Sequence, residues 1–195
     1  MKLETQASRR VESSTNPEPH TPIISIFGSS RSQTENTEYQ TAYELGKQLA
    51  EAGYTICNGG YGGIMEASAR GASVVNGKSI GVVTEVFGAT ANPFITQTIV
   101  TKTLIDRLVK LIEIGDAYII FRGATGTLLE LAAVWEFMNK HLMKEKPILL
   151  YGAFWYNLVD TLKQELISEG LPISAGYITQ VNSPSECVHI LKTKL

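Results

Sequence analysis

From Pro22 onward, short apolar runs alternate with stretches of helical periodicity, and this alternation constrains the fold more than any other feature of the chain. Strands that alternate with helices of ten to fifteen residues build βαβ units, and βαβ units build a parallel sheet. The runs Ala-Tyr-Ile-Ile-Phe at 117–121 and Pro-Ile-Leu-Leu-Tyr at 147–151 are apolar almost throughout. Such runs suit strands covered on both faces. The pattern predicts strands over 23–27, 54–57, 79–84, 117–121, 148–151 and 178–181, with a poorer one over 95–101. It predicts helices over 38–52, 64–75, 104–114, 128–142, 155–169 and 184–194. In the first of these, Tyr39, Ala42, Leu45 and Leu49 fall on one face. The fold class expected is α/β: a Rossmann-like parallel sheet with helices on both faces. Residues 22–195 read as one such domain. Residues 1–21, rich in Ser, Thr, Glu and Pro, read as a disordered tail.

Charge and composition exclude several kinds of function. The net charge of −2 argues against a nucleic-acid partner, because binding a phosphate backbone needs a basic surface. A small phosphorylated ligand needs only one or two local groups and is not excluded. The two cysteines, Cys57 and Cys187, stand far apart and share no metal-binding spacing with histidine. No metal site or cofactor is expected, and a reduced, cytoplasmic setting suits these thiols. No apolar run reaches the length of a membrane span, and the first 20 residues lack a signal-peptide core. His20, His141 and His189 are scattered and take no role.

Sheets of this kind bind ligands beyond the carboxyl ends of their strands, and three loops that leave strands there share one chemistry. Gly28-Ser29-Ser30-Arg31 offers a tight turn, two hydroxyls and a guanidinium to a phosphate. Asn58-Gly59-Gly60-Tyr61-Gly62-Gly63 places four glycines just before a helix N-terminus, where backbone and ligand can approach closely. It is neither a dinucleotide fingerprint nor a P-loop. Arg122-Gly123-Ala124-Thr125-Gly126-Thr127 would form another anion cradle from its amides and two threonine hydroxyls. Two acid–base candidates have plainer readings. Thr127-Leu-Leu-Glu130 fits a capping box, and Arg107 beside Asp106 fits a solvated helix charge. Spacing alone favours both plain readings.

The Gly-Ser-Ser turn, the stretch GGYGGIMEASARGA at 59–72 and GATGTLLE at 123–130 resemble the LOG ("lonely guy") family, over most of residues 23–181. Members of this family have often been labelled lysine decarboxylases. Gly123, Gly126, Thr127 and Glu130 fall on the family pattern PGGxGTxxE, and Arg107 falls on its upstream arginine. The resemblance implies that Arg107 and Glu130 are a catalytic pair. It implies a phosphate or nucleotide site made from Gly28, Ser29, Ser30, Gly59, Gly60, Gly62, Gly63, Met65, Arg122, Gly123, Ala124, Thr125, Gly126 and Thr127. The implied reaction is hydrolysis of the N-glycosidic bond of AMP or a cytokinin riboside 5′-monophosphate, giving free base and ribose 5-phosphate. The stretch at 59–72 also resembles a broader branch that includes molybdenum-cofactor carrier proteins, so a non-catalytic carrier or nucleotide-binding protein is the alternative. Lysine decarboxylation is not expected, since no lysine sits in a convincing pyridoxal-phosphate context.

Three departures carry expectations of their own. Arg122 and Ala124 stand where the pattern has proline and glycine, and Ala124 would be strained at a positive φ. A buried Arg122 needs an anion, and a ligand phosphate, Glu66 or Glu130 could supply it; otherwise it points to solvent. Glu66, beside the second cradle, would repel phosphate. In the helix after the third loop, Leu128, Leu131, Ala132, Trp135 and Leu142 lie on one face, and Val134 and Phe137 on another. A helix apolar on two faces is covered on two sides. A homodimer is therefore expected, as the resemblance also implies.

Overall fold

The computed structural model describes residues 21–195. The tail read over 1–21 lies, but for Thr21, outside the described residues. Seven strands are joined by helices: β1 (Ile23–Phe27), α1 (Thr37–Glu51), β2 (Thr55–Asn58), α2 (Ile64–Ser73), β3 (Ser79–Thr84), β4 (Gln97–Thr101), α3 (Leu104–Ile114), β5 (Ala117–Ile120), α4 (Thr125–Asn139), β6 (Ile148–Tyr151), α5 (Tyr156–Ser168), α6 (Pro172–Ala175), β7 (Ile178–Val181) and α7 (Pro184–Lys194). All pair in parallel, in the order β4-β3-β2-β1-β5-β6-β7. The Rossmann-like α/β class read from the alternation is the fold.

Both faces of the sheet are covered, which is why the strands are apolar on both sides. Tyr39 and Leu45 of α1, Ile64 and Ala67 of α2, and Cys187 and Leu191 of α7 pack on one face. Leu108 and Leu111 of α3, Leu131, Val134 and Met138 of α4, and Trp155 and Val159 near α5 pack on the other. The edge strand β4 is the least buried, in keeping with its poor apolar pattern. Among the described residues, no helix is long and apolar enough to cross a membrane.

Outside α4, element boundaries fall within two residues of those expected. The exception that matters is α4. It begins at Thr125, not 128, so Gly126 and Thr127 belong to its first turn and not to a loop. Thr127 is buried there, and packing fixes a helical start that its polar sequence hides. The helix also stops early. His141 takes a left-handed φ of 54°, and the Leu142 amide donates to the Phe137 carbonyl at 2.8 Å, which closes the last turn. Leu142, expected on the apolar face of this helix, lies beyond it and is exposed. Two short elements were not expected: α6 and a 3-10 turn at Glu85–Phe87.

Candidate functional site

The order of strands reverses at β1: β2, β3 and β4 extend to one side of it, and β5, β6 and β7 to the other. The loops after β1 and β5 therefore diverge at this switch point and leave a crevice. A cavity of about 320 Å³ opens there. Of the residues singled out from sequence, it brings together Gly28, Ser29, Ser30, Met65, Arg107, Ala124, Gly126, Thr127 and Glu130. Gly59, Gly60, Gly62, Gly63, Arg122, Gly123 and Thr125 are not among its lining residues.

The glycines of the second loop hold the site from behind. Gly63 has a φ of +66°, and a Cβ there would come within 2.2 Å of the Ser29 carbonyl oxygen. That carbonyl accepts a bond from the Ile64 amide at 2.9 Å, so the first and second loops are laced together through glycine-tight backbone. A Cβ on Gly59 would fall 1.6 Å from Nη2 of Arg107, so the missing side chain is the seat of that guanidinium. Glu66 turns away from the cavity: its Oε1 accepts a bond from the Tyr39 hydroxyl of α1 at 2.9 Å. The repulsion of phosphate expected from it does not arise from that position.

Arg107 is not a solvated charge. Thr103 and Asp106 form a capping box at the start of α3, which satisfies Asp106 locally and turns the next residue inward. Its side chain is 9% exposed. Nε donates to the Val82 carbonyl at 2.8 Å, Nη2 lies 3.8 Å from the Met65 sulfur, and the guanidinium sits 5.5 Å over the Tyr61 ring. Nη1 stands 3.8 Å from Oε1 of Glu130. Burial of a cation is costly unless it is paired and bonded, and here it is both.

Glu130 does not cap its helix. The N-cap of α4 is Ala124, so Thr127 is the third helical residue and Glu130 the sixth, too far along to reach the cap amide. The capping-box reading fails because the helix starts one turn early. Burial pushes the Glu130 carboxyl up to about 7, against the pull of Arg107 in the opposite direction. A carboxyl that titrates near neutrality can take up and release protons there.

The third loop also differs from expectation. Ala124 has φ −96° and ψ −153°, ordinary extended backbone, so the alanine in place of glycine carries no strain. Gly123 is the position that needs to be small, since a Cβ there would meet Oγ1 of Thr127 at 2.1 Å. No side chain caps α4, so its first amides are left to meet an anion, whereas the first amide of α2, that of Ile64, is already taken by the Ser29 carbonyl. Arg122 is neither buried nor paired with Glu66 or Glu130. It is largely exposed, 3.8 Å from Glu38 and 4.9 Å over the Phe154 ring.

Sequence reading missed the apolar rim. Phe87, Leu104 and Leu129 line the cavity mouth. Tyr61 holds this side together: its hydroxyl donates toward the Thr84 and Gly88 carbonyls and accepts from the Thr84 amide, and its ring meets Phe87 edge-on. No motif marked Phe87, because a three-residue 3-10 turn leaves no periodicity to read.

A seven-stranded parallel sheet with an arginine–glutamate pair in the crevice at its switch point makes this a protein of the Rossmann-like class. The chain belongs to the SLOG cluster4 family, whose model matches residues 21–188. It is 32% identical over 136 residues to the cytokinin riboside 5′-monophosphate phosphoribohydrolase of Mycobacterium tuberculosis, spanning 63% of this chain and 71% of that one. Its fold resembles the molybdenum cofactor binding protein of Rippkaea orientalis, at 25% identity and a TM-score of 0.69, over 89% of this chain and 97% of that one. The molybdenum cofactor carrier protein of Chlamydomonas reinhardtii shares the fold at 21% identity, with a TM-score of 0.72 and coverage of 89% and 98%.

Proposed function

We propose that residues 22–195 form a phosphoribohydrolase that splits AMP or a cytokinin riboside 5′-monophosphate into free base and ribose 5-phosphate. The observation that carries this reading is the buried Arg107–Glu130 pair on one wall of a cavity whose other walls are the loops after β1 and β5. The 5′-phosphate sits against the Ser29 and Ser30 hydroxyls and the first amides of α4. This anchor fixes the ribose over Glu130, away from the phosphate, and spends remote binding energy on orientation. As the N-glycosidic bond breaks, positive charge builds on the sugar ring, and the Glu130 carboxylate stabilises it. Water adds to the anomeric carbon as the bond to the base breaks, Glu130 takes up the proton that the water releases, and the departing base nitrogen gains a proton from solvent, to which Glu130 returns its own. Arg107, whose Nη1 lies 3.8 Å from Oε1, keeps the carboxylate oriented. Resemblance to the M. tuberculosis enzyme supports this chemistry.

The test is to incubate the chain with a panel of nucleoside monophosphates and to look for free base by chromatography. Release from AMP-like substrates, lost in Glu130→Gln, is the expected result; no release from any of them removes the hydrolase reading. Resemblance to the R. orientalis protein favours a second reading, in which the same cavity carries a phosphorylated cofactor unchanged. Mass spectrometry of a ligand that copurifies separates the two.

We further propose a homodimer formed through the outer face of α4 and the cavity rim. Leu129 of α4, Leu104 of α3 and Phe87 line that rim and stand exposed. Sedimentation at micromolar concentration is expected to give twice the monomer mass.

A further inference from the structure

The cleft does not end at the Gly123–Ala124 loop. On the far side of that loop lies a second hollow of about 430 Å³, lined by Arg31, Asn36, Glu38, Arg122 and Phe154 among others. Ser29, Arg31 and Ala124 line both hollows, so the two meet over the outer end of the first loop. Their chemistry differs. Two arginines and one glutamate are among the residues that line the second hollow, and the half-exposed Phe154 forms part of its wall.

Arg122 is held in place at its backbone, where its carbonyl accepts the Ser29 amide at 3.0 Å. Its guanidinium lies 4.9 Å over the Phe154 ring. Its ion pair with Glu38, at 3.8 Å, has side chains 63% and 44% exposed, and pairs so exposed are weak. A phosphate oxygen competes with such a carboxylate on favourable terms, since it accepts charge-assisted bonds from both arginines. The pattern PGGxGTxxE has a proline at this position, which offers no cation. A mononucleotide confined to the first cavity makes no use of this arrangement.

We propose that the cleft accepts a nucleotide whose 5′-phosphate is joined to a further phosphoryl group and a second planar moiety, that is, a nucleoside diphosphate conjugate. The proximal phosphate stays in the first cavity, the distal phosphate meets Arg31 and Arg122, and the second planar group stacks on Phe154. This rests on the nucleotide reading of the first cavity, but not on hydrolysis there.

The test compares AMP, ADP and P1,P2-diadenosine diphosphate by titration calorimetry, in the wild type and in Glu130→Gln, where turnover does not intervene. ADP is expected to bind about tenfold more tightly than AMP, and the diadenosine compound about tenfold more tightly again, one good contact being gained at each step. Arg122→Ala is expected to bring the ADP constant down to that of AMP. Phe154→Ala is expected to remove only the step from ADP to the diadenosine compound. Equal constants for all three ligands would overturn the proposal and leave the first cavity a mononucleotide site. A gain for the longer ligands that survives both substitutions would also overturn it. Failure of all three to bind would overturn both this inference and the nucleotide reading beneath it.

Discussion

Two arginine–glutamate pairs flank the third loop, and each has its closest charged atoms 3.8 Å apart. Arg107–Glu130 has side chains 9% and 15% exposed; Arg122–Glu38 has them 63% and 44% exposed. Equal distance conceals unequal physics. In the buried pair, water is displaced, the attraction is little screened, and either charge without the other is expensive. In the exposed pair, water and salt screen the attraction, and both side chains are free to leave. The first pair is built to hold a charge in place. The second is a pair of charges available for exchange.

The largest effect should come from breaking the buried pair. Glu130→Gln keeps the size and polarity of the side chain but removes its charge. If the hydrolase reading holds, base release falls by about 10²–10³-fold, the usual cost of losing one preorganised electrostatic contact. Arg107→Ala does comparable damage by another route, since the arginine is what pulls the Glu130 carboxyl downward. The midpoint of the pH–activity curve should then move up, which a loss of folding alone would not produce. Rates measured between pH 5 and 9 decide this.

Next in size is an indirect blow to the same pair. Gly59→Ala places a methyl group where the Arg107 guanidinium lies. Overpacking of this kind costs about 1–3 kcal/mol. Urea denaturation should show that loss, and activity should fall with it because Arg107 is displaced from Glu130.

A third prediction uses pH. Glu130 titrates at about 7 in the folded chain, above its ordinary value of 4.5, because burial disfavours its charged form. The folded state therefore holds this proton more tightly than the unfolded state. The stability that follows is complete below the ordinary carboxylate range and is lost as pH rises toward about 7. Glu130→Gln cannot titrate there. The melting temperature of the wild type, measured relative to this variant, should fall between pH 5 and pH 8. Activity that needs the carboxylate should rise over the same interval.

The two pairs also differed in how far they could be read from the sequence. The sheet was legible because alternation and apolar runs such as 117–121 express burial on two faces directly. Arg107 and Glu130 stood out only through resemblance; by spacing alone each had a plainer explanation. What overturned those explanations was three-dimensional. The start of α4 at Thr125 moves Glu130 out of capping range, and a capping box centred on Thr103 and Asp106 turns Arg107 inward. Arg122 lies outside, as the solvent alternative has it, and its partner Glu38 is not legible from the loop because it comes from α1, some 80 residues earlier in the chain. Phe87 left no trace, because a 3-10 turn on the rim has no period.

The smallest effect should come from the exposed pair, and its smallness is the point. Arg122→Ala removes one side of the ion pair and the cation over Phe154. Exposed ion pairs contribute about 0.2–1 kcal/mol, and exposed cation–π contacts about 0.5–1 kcal/mol. Both are partly offset by the rotamer freedom that two long side chains regain. Arg122→Ala and Glu38→Gln should each therefore change unfolding free energy by less than about 1 kcal/mol. The double variant should match the sum of the singles closely, because a screened pair has little coupling energy to lose. Raising the salt from 50 mM to 500 mM should erase what coupling remains. A coupling well above 1 kcal/mol that persisted at high salt would mean that the pair is shielded from water. The two arginine–glutamate pairs would then be alike, and Arg122 would be a fixed part of the scaffold with no freedom to turn toward a ligand.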